Sequence, residues 1–138
     1  MSYSQSFQFC FDTVVKIEAG YTANPSDPGN WTGGVVGHGL LRGTKYGISA
    51  ASYPNVDIAN LTEAQAETIY YSDYWTPMKG DSLPPAIALI VFDGAVNQGL
   101  GTSIKCLQAA LNLVQDGDLG PVSMGTIATF VTHYGAQY

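Results

Sequence analysis

The sequence predicts a mostly helical α+β domain, with a buried central helix and one small β-hairpin and loop segment. Three observations carry this expectation. Apolar residues recur at helical spacing in several separate stretches. One of them, Ala86 to Val96, is apolar almost all round, the pattern of a helix enclosed by its neighbours. Half of the 16 glycines fall between positions 20 and 47, where a regular helix is not expected.

The first helix is expected over residues 5–19. Phe7, Phe11, Val14 and Glu18 step by four, three and four, Cys10 and Ile17 flank the stripe, and Gly20 is a natural stop. Glu18 then ends the apolar side of that helix, where a solvated carboxylate is unexpected. Residues 20–47 follow as loop plus short hairpin, with Pro25 and Pro28 among the glycines. Trp31, Val35, Val36, Leu40, Leu41, Tyr46 and Ile48 suggest that this segment is ordered by packing. Thr62-Glu63-Ala64-Gln65 reads as a capping box opening a helix that runs to about Tyr74. Pro84-Pro85 opens the central helix, which ends near Gly99. A further helix is expected from about Thr102 to Val114, with Ile104, Leu107, Leu111 and Val114 on one face. Asp116-Gly117 makes a turn, and Pro121 starts a last helix striped by Ile127, Phe130 and Val131.

A chain of 138 residues fits one domain with a real core. Five Lys and Arg stand against eleven Asp and Glu, a net charge of −6, so a nucleic-acid partner is not expected. The longest apolar run is too short to span a bilayer, so no stable membrane insertion is expected. The first residues show no Sec-type signal pattern, which implies synthesis in the cytoplasm and delivery by another route. Cys10 and Cys106 read as two buried thiols, with a disulfide left open. Two cysteines and two histidines without ligand-like spacing argue against zinc, and Asp116-Gly117-Asp118-Leu119-Gly120 lacks the later ligands of a calcium loop. No cofactor is expected.

Few groups remain for chemistry. Of three glutamates, Glu63 and Glu67 share a polar helical face and read as solvated charge. Glu18 differs, because burial would raise its pKa and let it donate a proton near neutral pH. A structural carboxylate is the alternative. Asp27, in Pro25-Ser26-Asp27-Pro28-Gly29, is either a turn residue or a second carboxylate across a cleft. Asp93 and Asn97 share one face of the apolar helix, so they either form an internal polar network or line a site.

Ile17-Glu18-Ala19-Gly20-Tyr21, Asn24-Pro25-Ser26-Asp27-Pro28-Gly29-Asn30 and Thr44-Lys45-Tyr46-Gly47-Ile48-Ser49 resemble the opening of glycoside hydrolase family 108. These are phage and bacterial N-acetylmuramidases (lysozymes) of lysozyme-like fold. The resemblance continues through Tyr71, Asp73-Tyr74-Trp75 and Phe92-Asp93-Gly94-Ala95-Val96-Asn97-Gln98-Gly99. It ends in Leu107-Gln108 and Asp116-Gly117-Asp118-Leu119-Gly120-Pro121, which look like the peptidoglycan-binding region of that family. It implies a single lysozyme-like domain over 1–138, with a catalytic part at 1–82 and a helical, peptidoglycan-binding-like part at 83–138. The Glu of the family's Glu-Gly-Gly-Tyr-like motif, its catalytic acid, maps onto Glu18, with Ala19 as the one departure. By the same similarity Asp27 is the second carboxylate. The site threonine is Thr32 or Thr44, and Thr44 is favoured because Tyr46-Gly47-Ile48 follows it. Trp31 to Gly43 is an insertion relative to many members, expected to border the cleft as a hairpin or lid.

The resemblance therefore implies hydrolysis of the β-1,4 bond between N-acetylmuramic acid and N-acetylglucosamine in peptidoglycan. Glu18 would act as general acid, and Asp27 with Thr44 would position water or stabilise positive charge. Carboxyl groups about 5–5.5 Å apart would mean retention, and about 6.5–9.5 Å inversion. Tyr21, Tyr46, Trp75 and Asn97 are candidates for gripping the sugars, with core packing the alternative for each aromatic. The expected partner is the glycan strand of the bacterial cell wall, met as an endolysin or a virion-borne enzyme. The rival readings are a non-catalytic peptidoglycan-binding or phage structural module, and a protein inhibitor or interaction domain on the same scaffold.

Overall fold

The computed structural model describes residues 2–18 and 20–134, without the side chains of Glu18, His133 and Tyr134. The class is the expected one: mostly helical α+β, with five α-helices and one two-stranded antiparallel sheet among the described residues. The chain divides into two compact units. One holds the described residues of Met1–Val14 and Tyr70–Tyr138, the other Val15–Ile69.

In the first unit, α1 (Gln5–Val14) starts where the Ser4 hydroxyl oxygen accepts the Phe7 N–H at 3.1 Å. It ends at Val14, earlier than its apolar spacing suggests. The β-branched run Thr13-Val14-Val15 weakens the helix there. Phe7 and Phe11 bury fully and join an aromatic core with Tyr70, Trp75 and Phe92. Phe7 meets Trp75 at 5.5 Å and Phe92 at 6.3 Å between ring centroids, mostly edge to face. Trp75 ends a π-helical turn, Tyr71–Trp75, closed by the Thr76 N–H on the Tyr71 carbonyl. A 3₁₀ turn at Gly80–Ser82 then passes so close to Trp75 that a Cβ on Gly80 would lie 2.3 Å from its ring.

The central helix α3 (Pro85–Gln98) buries Ala88, Val91, Phe92 and Ala95 and stops at Gly99, whose φ of 97° few other residues accept. Its other side carries Ile90, 71% exposed, on a face that no described residue covers fully. Against it runs α4 (Leu100–Ala110), with the Ser103 hydroxyl donating to the Val91 carbonyl at 2.7 Å. That helix stops four residues short of Val114. Asn112 takes the left-handed conformation (φ 56°), and the Leu113 and Asn112 N–H groups cap the Gln108 and Ala109 carbonyls. Val114 is consequently 80% exposed rather than part of the stripe.

Buried Gln108 ties down the next loop. Its amide nitrogen donates to the Asp116 carboxylate, the Asp118 carbonyl and the Ser123 hydroxyl, and its Oε1 accepts the Gly117 N–H. The Asp118 N–H and the Gln108 amide hold the Asp116 carboxyl below its usual range. This contribution to stability is present at neutral pH and is lost as pH falls through the depressed pKa. The last helix, α5 (Pro121–Tyr134), starts at its proline as expected and buries Ser123 and Ile127. The two cysteines are unpaired. Cys10 is buried, which pushes its thiol up to about 11, whereas Cys106 is exposed, so only one of the two behaves as a core residue.

In the unit Val15–Ile69, a 3₁₀ turn (Lys16–Glu18) follows α1 in sequence. Strands β1 (Thr44–Lys45) and β2 (Ile48–Ser49) pair Thr44 with Ser49 and Lys45 with Ile48. Tyr46 and Gly47 both have positive φ, as a two-residue hairpin of this hand requires. The capping box before α2 (Glu63–Tyr70) forms as read: the Gln65 N–H reaches Thr62 Oγ1 at 3.1 Å, and the Thr62 N–H reaches Gln65 Oε1 at 3.0 Å. Lys16 and Glu63 make an exposed ion pair of small consequence at 3.2 Å. No described helix is long and apolar enough to cross a membrane.

Candidate active site

All three expected catalytic residues, Glu18, Asp27 and Thr44, lie in the Val15–Ile69 unit. Its segment Asn24–Asn30 is held by local bonds that its sequence encodes. The Asn24 side chain accepts the Ser26 N–H at 3.0 Å, and the Asp27 N–H returns to the Asn24 carbonyl at 3.1 Å. The Asp27 carboxylate accepts the Gly29 N–H at 2.9 Å and caps the 3₁₀ turn Pro28–Asn30. Trp31 pins the same segment from outside, its indole N–H donating to the Pro25 carbonyl at 2.9 Å. Asp27 is therefore a turn residue, and an exposed one, on a backbone that has little freedom.

Thr44 joins this frame. Its backbone bridges Thr22 in both directions, at 2.9 and 2.8 Å. Its hydroxyl donates to Asn30 Oδ1 at 2.7 Å. Asn30 is fully buried, its Nδ2 donates to the Asn24 carbonyl, and its own carbonyl accepts the Arg42 and Gly43 N–H groups. Asn30 thus connects the Asp27 turn to the Thr44 strand. It was missed in the sequence because its partners lie six to fourteen positions away. Its place at the end of the Asn24–Asn30 motif was the only available signal. Thr32, the other candidate threonine, accepts the Leu40 N–H through Oγ1 at 2.8 Å and serves the neighbouring excursion instead.

Tyr21 precedes the Thr22 bridge, its hydroxyl donating to the Arg42 carbonyl at 3.2 Å, and the residue is 46% exposed. The close approach depends on Gly43, which has φ 87°. A Cβ there would lie 2.4 Å from the Thr22 carbonyl oxygen and 2.7 Å from the Tyr21 ring. Gly43→Ala is accordingly expected to cost about 2 kcal/mol or more, seen as a lower Tm in thermal denaturation. Tyr46 is half-buried in the hairpin turn, with Lys45 Nζ 5.9 Å from its ring centroid.

The insertion Trp31 to Gly43 is a hairpin-like excursion. It is closed by the Trp31–Leu41 bridge, the Thr32 N–H on the Leu40 carbonyl and the Gly33 N–H on the His38 carbonyl. Val35, Val36, Leu40 and Leu41 are 38–57% exposed, so backbone bonds order it, not the side-chain packing expected. A Cβ on Gly33 or Gly39 would collide with backbone across the excursion. A groove of about 490 Å³ in this unit is lined by Val56, Asp57, Asn60, Leu61, Gln65 and Thr68, and contains none of the expected site residues.

Three expectations are corrected. Glu18 was placed on the apolar stripe of a helix, but its backbone lies in the 3₁₀ turn after that helix has ended. The shorter period breaks the stripe, and neighbouring Ile17 is 72% exposed. The Glu18 side chain itself, like residue Ala19, lies outside the described residues. Trp75 was a candidate for stacking on a sugar, but it is 1% exposed and core-packed, its indole N–H bonded to Asp81 at 3.1 Å. Asp93 and Asn97 were expected on a buried face. Both are exposed, and the Asn97 amide donates within its own helix to the Asp93 carbonyl and carboxylate at 2.9 and 3.0 Å. With no buried polar pair to break, Asp93→Ala is expected to change stability by no more than about 0.5 kcal/mol, measured by urea denaturation. No cluster of three or more His, Cys, Asp or Glu that could hold a metal occurs among the described residues.

The family model for glycosyl hydrolase 108 matches residues 11–99. Among solved structures, the chain is similar to that of SagA from Brucella abortus, with a TM-score of 0.71 and 26% sequence identity, over 90% of this chain and 69% of that one. No curated protein sequence matches.

Proposed function

The chain belongs to glycosyl hydrolase family 108, a family of peptidoglycan hydrolases with a lysozyme-like fold, and on that premise we propose that it is an N-acetylmuramidase. The bond cleaved is the β-1,4 link from N-acetylmuramic acid to N-acetylglucosamine. Glu18 protonates the glycosidic oxygen as the oxocarbenium-like transition state forms. Asp27 and Thr44 place a water or face the developing positive charge. Tyr21 and Tyr46 present aromatic surface to the sugars. The enzyme acts at the bacterial cell wall, as an endolysin or virion-borne enzyme would, and residues 83–138 contribute to wall binding.

The observation that supports this reading is the single hydrogen-bonded frame that carries Asp27 and Thr44. Asn30 links them through bonds of 2.7–3.1 Å, in a frame whose first segment, Asn24–Asn30, begins six positions after Glu18. A site of this kind needs its polar groups preorganised, since misplacement by about 1 Å can cost roughly 100-fold in rate. A turbidity assay on purified peptidoglycan, followed by mass analysis of the fragments, tests the proposal. Fragments ending in reducing N-acetylmuramic acid are expected. Wall binding without fragments would mean a non-catalytic module. Fragments ending in 1,6-anhydro-N-acetylmuramic acid would mean cleavage without water.

A further inference from the structure

We infer that Asn30 is a positioning residue that makes the Thr44 hydroxyl an obligate hydrogen-bond acceptor toward whatever binds beside it, an inference that rests on Thr44 belonging to the site proposed above. The direction of each bond follows from chemistry rather than from assigned hydrogens. The Asn24 main-chain carbonyl can only accept, and the Asn30 side chain meets it at 3.1 Å. The amide nitrogen must face it, because the flipped amide would set oxygen against oxygen. Oδ1 must then face Thr44, 2.7 Å away, and it too can only accept. The single hydroxyl proton of Thr44 is therefore committed to Asn30, and two lone pairs remain.

The surroundings hold this arrangement in place. Asn30 is fully buried, and its main-chain carbonyl is engaged by the Arg42 and Gly43 N–H groups. Thr44 is fixed on both sides by its bridge to Thr22 and its pairing with Ser49. Turning the hydroxyl away would strand a buried acceptor. Thr44 itself is only half-buried, and its bond to Asn30 is only partly enclosed, so a ligand can approach this position. It can take a hydrogen from a water, a sugar hydroxyl or an acetamido N–H. It cannot donate to an acetamido carbonyl or to a carboxylate. A water held this way gives a hydrogen to Thr44 and keeps its own lone pairs directed elsewhere.

Kinetics on soluble peptidoglycan fragments, run with thermal melts, test the inference. Asn30→Leu removes the acceptor and frees the Thr44 proton. Its kcat is expected to fall about tenfold, the rate equivalent of one lost hydrogen bond, with KM changed much less. Asn30→Asp keeps an oxygen facing Thr44 and should lose clearly less kcat than Asn30→Leu. Its Tm should fall at least as far, because the Asn24 carbonyl loses its donor. In a Thr44→Val background, Asn30→Leu should cost no further kcat. Loss of kcat in step with Tm across the two variants, or additive losses in the double variant, would overturn the assignment. Low-temperature NMR of the wild-type protein gives a readout that needs neither variants nor activity. A slowly exchanging Thr44 hydroxyl proton close to the Asn30 side chain is expected, and its absence refutes the commitment of that proton. A wild-type protein that releases no fragments would overturn the muramidase reading alone, and the hydroxyl signal would still decide the acceptor assignment.

Discussion

Glu18→Gln is expected to lower release of glycan fragments by roughly two or more orders of magnitude, the usual scale of general acid catalysis. The substitution keeps the shape of the side chain and removes its titratable proton. The Glu18 backbone closes a three-residue 3₁₀ turn, Lys16–Glu18, which a glutamine can close equally well. Far-UV circular dichroism and Tm should therefore match the wild type, so that lost activity can be read as lost chemistry. Near-normal lysis by the folded variant would remove Glu18 from the mechanism and leave the family membership intact.

Trp75→Ala is expected to cost about 3–5 kcal/mol, the range for a buried aromatic cut back to a methyl group. Few substitutions in this chain should act as strongly on stability. The indole packs edge to face against Phe7 at 5.5 Å and Phe92 at 5.9 Å. Its N–H is bonded to Asp81, and the Gly80 backbone lies against its ring. A loss of that size is a large part of the total stability of an ordinary domain, about 5–15 kcal/mol, and partial unfolding at 37 °C is the anticipated result. Trp75→Phe should lose less, keeping ring contacts but not the hydrogen bond. If Trp75→Ala instead melts normally and only weakens saccharide binding, the side chain is a sugar platform and its place in the core is wrong.

The contrast between Thr62 and Trp75 shows what a sequence of this kind can disclose. The capping box at Thr62 and Gln65 was legible because both partners lie within four residues and the bonding is local. The starts of α3 and α5 at prolines, and the stop of α3 at Gly99, were legible for the same reason. Trp75 was ambiguous because an aromatic at helical spacing suits a core and a binding cleft equally. The end of α4 was misplaced because Asn112 takes a left-handed conformation that asparagine tolerates but does not require. The end of α1 came early because the β-branched run Thr13-Val14-Val15 weakens the helix before Gly20 is reached, and that shifted Glu18 off its stripe. Of the site, the Asp27 turn could be read from its prolines and glycine. Its connection to Thr44 through Asn30 could not, because a buried amide is identified only by partners that the fold brings to it.

The excursion from Trp31 to Gly43 keeps its shape through main-chain bonds and glycines, while its valines and leucines stand in solvent. The two classes of position are therefore under different pressures. Gly33, Gly39 and Gly43 are fixed, since any side chain there meets backbone or a neighbouring ring within 3 Å. The side chains of Val35, Val36 and Leu40 are 47–57% exposed, and the bonds that shape the excursion run through its main chain, so these side chains can be exchanged with little penalty to folding. A lineage, or an engineer building a library, can rewrite those three surfaces while the scaffold beneath keeps its register. The same excursion that resists change in its backbone thus tolerates new chemistry in its side chains.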